Sequence, residues 1–133
     1  MELDYIDHIN AYGDNIVRLY NFDKSQALQF CQIVHQRLVV DQKELDLITL
    51  DFIQARNCSL VLRLSETDEG IASDDDEAFF CDLTIAGYEN MLALIEPFCK
   101  KDSKAYQYLY DVDSLTDFLF TPSGSWEEEK EID

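Results

Sequence analysis

Residues 15–40 read NIVRLYNFDKSQALQFCQIVHQRLVV, and a change of rhythm inside this stretch decides the fold class. Its first eight residues, 15–22, are rich in β-branched and aromatic types, the composition of a strand. Asp23 followed by Gln26 has the spacing of a capping box, in which each side chain satisfies a backbone N–H at the start of a helix. Beyond it Ala27, Phe30, Cys31, Val34 and Leu38 recur at three- and four-residue steps. That spacing predicts a helix over 24–40 with one buried stripe. A strand followed at once by an amphipathic helix is the arrangement of a helix packed on a sheet.

Working outward, residues 86–98 return to helical spacing through Tyr88, Met91, Leu92, Ile95 and Phe98, with Pro97 limiting the last turn. Residues 45–54 and 58–64 read as a hairpin joined by Ala55-Arg56-Asn57. Cys58, Leu60, Leu62 and Leu64 fall on one face of its second strand. Phe79, Cys81 and Leu83 alternate with Phe80, Asp82 and Thr84 as a further strand, and 104–111 alternate aromatically as another. Leu3, Tyr5, Ile6 and Ile9 predict a short opening helix over 2–10; Ser114 to Leu119 suggest a short late one, although 117–120 also fit an extended segment. The expected fold is one α+β domain over 1–126, with a mainly antiparallel sheet of four to six strands under the helices 24–40 and 86–98. An acidic loop spans 65–77, and 127–133 form an acidic, flexible tail.

Charge narrows the functional classes. The 133 residues carry a net charge of −18 yet are 47% apolar and 12% aromatic, so the charge belongs to a folded surface and its loops. Residues 1–64 hold 9 acids and 6 bases, net −3; residues 65–133 hold 19 acids and 4 bases, net −15. A nucleic-acid binder needs Lys and Arg to displace phosphate counterions, and this field has the opposite sign. An anionic membrane surface is disfavoured for the same reason. The start, MELDYIDHINAYGDN, has no basic or apolar leader, and the four scattered cysteines (Cys31, Cys58, Cys81, Cys99) sit among apolar neighbours. Buried free thiols and a cytoplasmic location are expected.

The segment SETDEGIASDDDEAFF, 65–80, holds seven carboxylates. Aligned on a calcium-binding loop with Gly70 at its sixth position, it offers Ser65 first and Asp76 last, where the pattern requires Asp and a bidentate Glu. It reads as a solvated loop. Cys31 and His35 are one helical turn apart, the spacing at which an imidazole activates a thiol, but Cys31 lies inside the apolar stripe and reads as packing. Carboxylate pairs such as Asp46/Asp51 and Asp111/Asp113 are expected by chance among 28 acids. Two histidines and dispersed cysteines make no zinc motif, and no cofactor is expected.

Tyr106, Tyr108 and Tyr110 project large amphipathic rings to one side, the residue type enriched at recognition surfaces. These tyrosines, with Asp74, Asp75, Asp76 and Glu77 for long-range attraction, are the expected partner-binding residues. The reading that follows is a non-enzymatic interaction domain for a basic or partly unfolded protein, in a chaperone-like, neutralising or adaptor role. In size, acidity and element order over 23–120 the chain is similar to secretion chaperones and toxin-neutralising immunity proteins, without a shared motif. The alternatives are a small enzyme using Cys31/His35 or a carboxylate pair, and a DNA mimic. Oligomeric state is left open, a homodimer included.

Overall fold

The computed structural model describes residues 1–7, 15–110 and 116–122. The chain begins not with a helix but with strand β1, Glu2–Ile6. Its apolar positions fit both periods, and the two-residue period wins because it sorts the side chains. Leu3 and Tyr5 turn to the core, while Asp4 turns to Arg18. Strand β2, Asn15–Tyr20, runs antiparallel to β1 with Asp4 opposite Arg18. Asn21, at φ 53°, makes the corner. Asp23 then caps helix α1, Lys24–Val34, through the reciprocal bonds with Gln26. The helix continues as a π-helical segment, His35–Val40, so the expected 24–40 span is helical throughout, and Ala27, Phe30, Val34 and Leu38 are fully buried along it.

The segment 45–54 departs from its reading as one strand. Strand β3 covers only Leu45–Asp46; a 3-10 turn, Leu47–Thr49, follows, and strand β4 is Gln54–Ala55. The break is local chemistry. The Asp46 carboxylate accepts from the Ile48 N–H, and the Thr49 hydroxyl donates to the Asp46 carbonyl, bonds that compete with a ladder. Only β3 pairs with strand β5, Ser59–Leu64; β4 instead lies parallel to β1. The acidic stretch is also not one wet loop. It contains strand β6, Gly70–Ala72, with Ile71 buried, ahead of strand β7, Ala78–Leu83. Helix α2 is Ile85–Lys100, strand β8 Gln107–Tyr110 and strand β9 Thr116–Thr121. The late segment is therefore extended from Thr116, because Phe118, Leu119, Phe120 and Thr121 are all buried, on both faces of the sheet.

The nine strands of the described residues follow the order β3-β5-β7-β6-β9-β2-β1-β4, with β8 also on β9. Three pairings are parallel (β1/β4, β2/β9, β5/β7) and five antiparallel. The sheet is thus mixed and larger than the four to six mainly antiparallel strands expected. Five strands escape a firm pattern reading: β3, β4 and β6 are two or three residues long, and β1 and β9 are ambiguous in period. The sheet curls, so that Tyr5 of β1 stacks 4.7 Å from Phe79 of β7 with three strands between them in the order. α1 and α2 close the concave side. Phe22, Phe30 and Phe98 converge on Phe120 at 4.3, 6.0 and 5.2 Å between ring centroids. No described helix is long and apolar enough to cross a membrane. His8, Tyr12, the Gly13-Asp14 turn, Asp111/Asp113, Trp126 and the tail 127–133 lie outside the described residues.

Leu62, fully buried on β5 opposite Leu45 and Cys81, tests the inward face. Leu62→Asp places an uncompensated carboxylate in that core and costs at least about 3 kcal/mol, a large share of a small domain's stability. A urea denaturation midpoint equal to the parent's rules the assignment out.

Candidate functional site

A shaped site lies where α2 begins. Thr84 caps the helix, its hydroxyl accepting from the Gly87 N–H at 3.0 Å. Thr84 is itself held by Asp68, whose Oδ1 accepts from the Thr84 N–H and from the Thr84 hydroxyl, both at 2.8 Å. A carboxylate at this place also complements the positive end of the helix dipole. The approach is so close that a Cβ on Gly87 would lie 2.5 Å from Asp68 Oδ1 and 3.1 Å from Leu83 Cβ. One residue on, the buried Tyr88 hydroxyl lies 2.7 Å from the carbonyls of Arg63 and Cys81 and donates to them, fixing α2 against β5 and β7. Burial raises the Tyr88 phenol above its ordinary value.

Between α2 and β8 runs a groove of about 660 Å³. Ala86, Gly87, Asn90 and Leu94 form the helical wall, Gln107 to Tyr110 the strand wall, and Asp68 lies at one end. Gly87, Asn90 and Leu94 are spaced as a stripe beside the buried stripe Tyr88, Met91, Ile95 and Phe98. The strand wall carries a bulge. Tyr108 pairs with Leu119 and Tyr110 with Phe118, so Leu109 is the extra residue, and it is buried. The Tyr110 hydroxyl donates to the Asp68 carbonyl at 3.2 Å. Tyr106 precedes the strand, is 54% exposed and meets Tyr108 edge-on at 6.1 Å.

The structure therefore brings Tyr108 and Tyr110 into one wall with Tyr106 beside them, and sets the acids elsewhere. Asp74, Asp75, Asp76 and Glu77 are exposed at the opposite end of β7, a strand of six residues and so about 20 Å away. They are an ordered turn. Asp75 accepts from the Glu77 and Ala78 N–H groups at 2.9 Å, which hold its carboxyl below the usual range, and Ser73 donates to the Ala78 carbonyl at 2.7 Å. Asp68, Thr84, Gly87, Asn90 and Leu94 were not singled out by the sequence. A threonine ahead of an apolar helical run is a capping signal, but nothing in the sequence links it to Asp68.

Cys31 and His35 share a hollow with Glu89, Leu92, Ala93 and Glu96 of α2. His35 is exposed and Cys31 half-buried. Burial raises both the Cys31 and Cys99 thiols, Cys99 to about 11, and the Cys99 thiol donates to the Ile95 carbonyl at 3.7 Å. Such a thiol is protonated at neutral pH, the reverse of an activated nucleophile. Asp46, one of the carboxylates set aside as a chance pair, holds the 3-10 turn. Among the described residues no three His, Cys, Asp or Glu side chains converge as metal ligands.

Two outcomes follow from this geometry. Gly87→Ala drives a methyl into Asp68 and Leu83, dislodges the cap and costs about 1–3 kcal/mol; an unchanged thermal midpoint contradicts the tight approach. Burial pushes Cys58 and Cys81 up to about 12 from an ordinary 9.0. A raised value means the folded state holds protons that the unfolded state releases, so stability is intact below about pH 9 and falls as pH rises toward 12. Native labelling by a thiol reagent is slow at pH 7 and accelerates with pH; fast labelling of Cys31 at neutral pH revives a nucleophilic role. Comparison with protein-family models, with curated proteins and with solved structures finds no match to this chain.

Proposed function

We propose that the chain is a non-enzymatic protein-interaction module that takes a basic, extended segment of another protein into the groove between α2 and β8. The observation that carries this reading is the groove itself: an aromatic and aliphatic trough with a carboxylate at one end, in a chain of net charge −18. Desolvated rings supply lasting contact in such interfaces, whereas exposed charges chiefly speed encounter and are screened within about 8–10 Å at physiological salt. Asp74, Asp76 and Glu77, at the far end of β7, fit the second role and the tyrosines the first. The enzymatic alternative through Cys31/His35 loses support because burial raises the Cys31 thiol and keeps it protonated at neutral pH. A cytoplasmic, chaperone-like, neutralising or adaptor role is consistent with this chemistry.

The test begins with affinity capture by the whole chain and continues with surface plasmon resonance on the recovered partner. Asp74→Asn, Asp76→Asn and Glu77→Gln together slow association by about threefold or more at low salt and leave dissociation unchanged. Asparagine suits residue 76, whose φ is 58°, and Asp75 is kept because its carboxylate holds the turn. Tyr108→Ala speeds dissociation about tenfold, the loss of a ring at the centre of an interface. Affinity that ignores salt, the three charges and Tyr108 overturns the proposal.

A further inference from the structure

We infer that the groove is built to receive a lysine side chain in preference to arginine, with Asp68 as the residue that sets this choice. The inference rests on the reading of the groove as a docking site and names what it docks. Asp68 is exposed at the groove's end, and its two oxygens have different duties. Oδ1 is occupied by the Thr84 N–H and hydroxyl. Oδ2 takes no hydrogen bond among the described residues and is left to face a ligand. The lining contains no lysine or arginine to neutralise it; Arg18, Arg56 and Arg63 are engaged with Asp4, Glu2 and Asp82. Gln107 donates its Nε2 to the Tyr108 carbonyl, which leaves its amide oxygen as a second acceptor. The Asp68 charge opposes the positive end of α2, with the Thr84 N–H on Asp68 and the Gly87 N–H on Thr84.

The rest of the lining suits an aliphatic stem. Leu94, Tyr108 and Tyr110 present the apolar surface along which a lysine lays its methylenes, and tyrosine faces attract an ammonium. The preference over arginine follows from the committed oxygen. A guanidinium gains its advantage by gripping both oxygens of a carboxylate at once, and here one is already occupied. An ammonium needs only the other.

The experiment titrates the whole ¹⁵N-labelled chain with three probes and follows backbone amide shifts. The probes are acetyl-Ala-Lys-Ala-amide, its arginine counterpart and its norleucine counterpart, the last having a similar length of stem without charge. The lysine probe is expected to move the amides of Ala86, Gly87 and Asn90 and to bind about threefold to fivefold more tightly than norleucine, the range of an exposed ion pair. Arginine is expected to bind more weakly than lysine. Asp68→Asn keeps an Oδ1 acceptor for Thr84 and hence the helix cap, removes the charge, and reduces lysine to the norleucine level. An unchanged amide spectrum away from the groove verifies that the variant is folded. Should it unfold instead, Ala86→Trp, at an exposed position of the helical wall, is the second variant; it fills the groove and must abolish the lysine-induced shifts. Equal binding of norleucine and lysine, tighter binding of arginine, shifts confined to 73–77, or no shift with any probe overturns the inference. The broader reading falls separately, if the captured partner binds without salt dependence; shifts at 73–77 together with salt-dependent capture leave it standing while this inference fails.

Discussion

The parallel seam between β2 and β9 holds the two halves of the molecule together. All six residues of β2 pair in register with Thr116–Thr121; β9 joins the other ribbon of the sheet through the Ile71/Thr116 pair with β6, and β8 is added on β9. Removing β9 from the order leaves β3-β5-β7-β6 and β2-β1-β4 as separate ribbons. Phe120, the ring on which Phe22, Phe30 and Phe98 converge, sits on the same strand, so the seam also seats both helices. Its partners are about a hundred residues apart in sequence. Closing so long a loop adds little to the entropic cost of a shorter one, but pairing of this kind is slow to find.

A second constraint fixes where β1 lies on this frame. Arg18 is fully buried and grips Asp4 with two hydrogen bonds, at 2.7 and 3.0 Å, while its guanidinium lies 4.0 Å from the Tyr20 ring. A slip of β1 by one residue would turn Asp4 to the hydrophobic core and Leu3 to the guanidinium. Buried ion pairs are weak contributors to stability, and setting register is their better-attested use. Asn57 reinforces the alignment, its side-chain amide bonding to both the N–H and the carbonyl of Tyr5 as a neighbouring strand would.

Local signals in the sequence predict those elements whose cause is local. The Asp23/Gln26 box, the stripe from Ala27 to Leu38, the helix through Tyr88 and Phe98, and the alternation of Leu60/Leu62 and Phe79/Cys81 each lie within one short window and appear as read. What escaped depends on neighbours far along the chain. Leu3 and Tyr5 fit a helix until β2 is there to pair with them, three-residue β6 has no period of its own, and Phe118–Thr121 become a strand because both flanks are filled. Parallel pairing is invisible to any window, since no residue pattern names its partner strand. The same holds for the groove: the alternating tyrosines stand out in the sequence, whereas the place of Asp68 exists only once residues 68, 84, 87 and 110 meet.

That meeting has a bearing on how such a protein can diverge. Asp68 braces the cap of a helix through Oδ1 and lies at the end of a groove, so a single side chain bears on both. A Cβ at 87 would meet Asp68 Oδ1 at 2.5 Å, which couples the pair sterically: residue 87 cannot gain a side chain until position 68 gives way. Asparagine at 68 removes the charge and keeps an acceptor for Thr84, whereas lysine or arginine there reverses the charge and takes the acceptor away from the Thr84 N–H and hydroxyl.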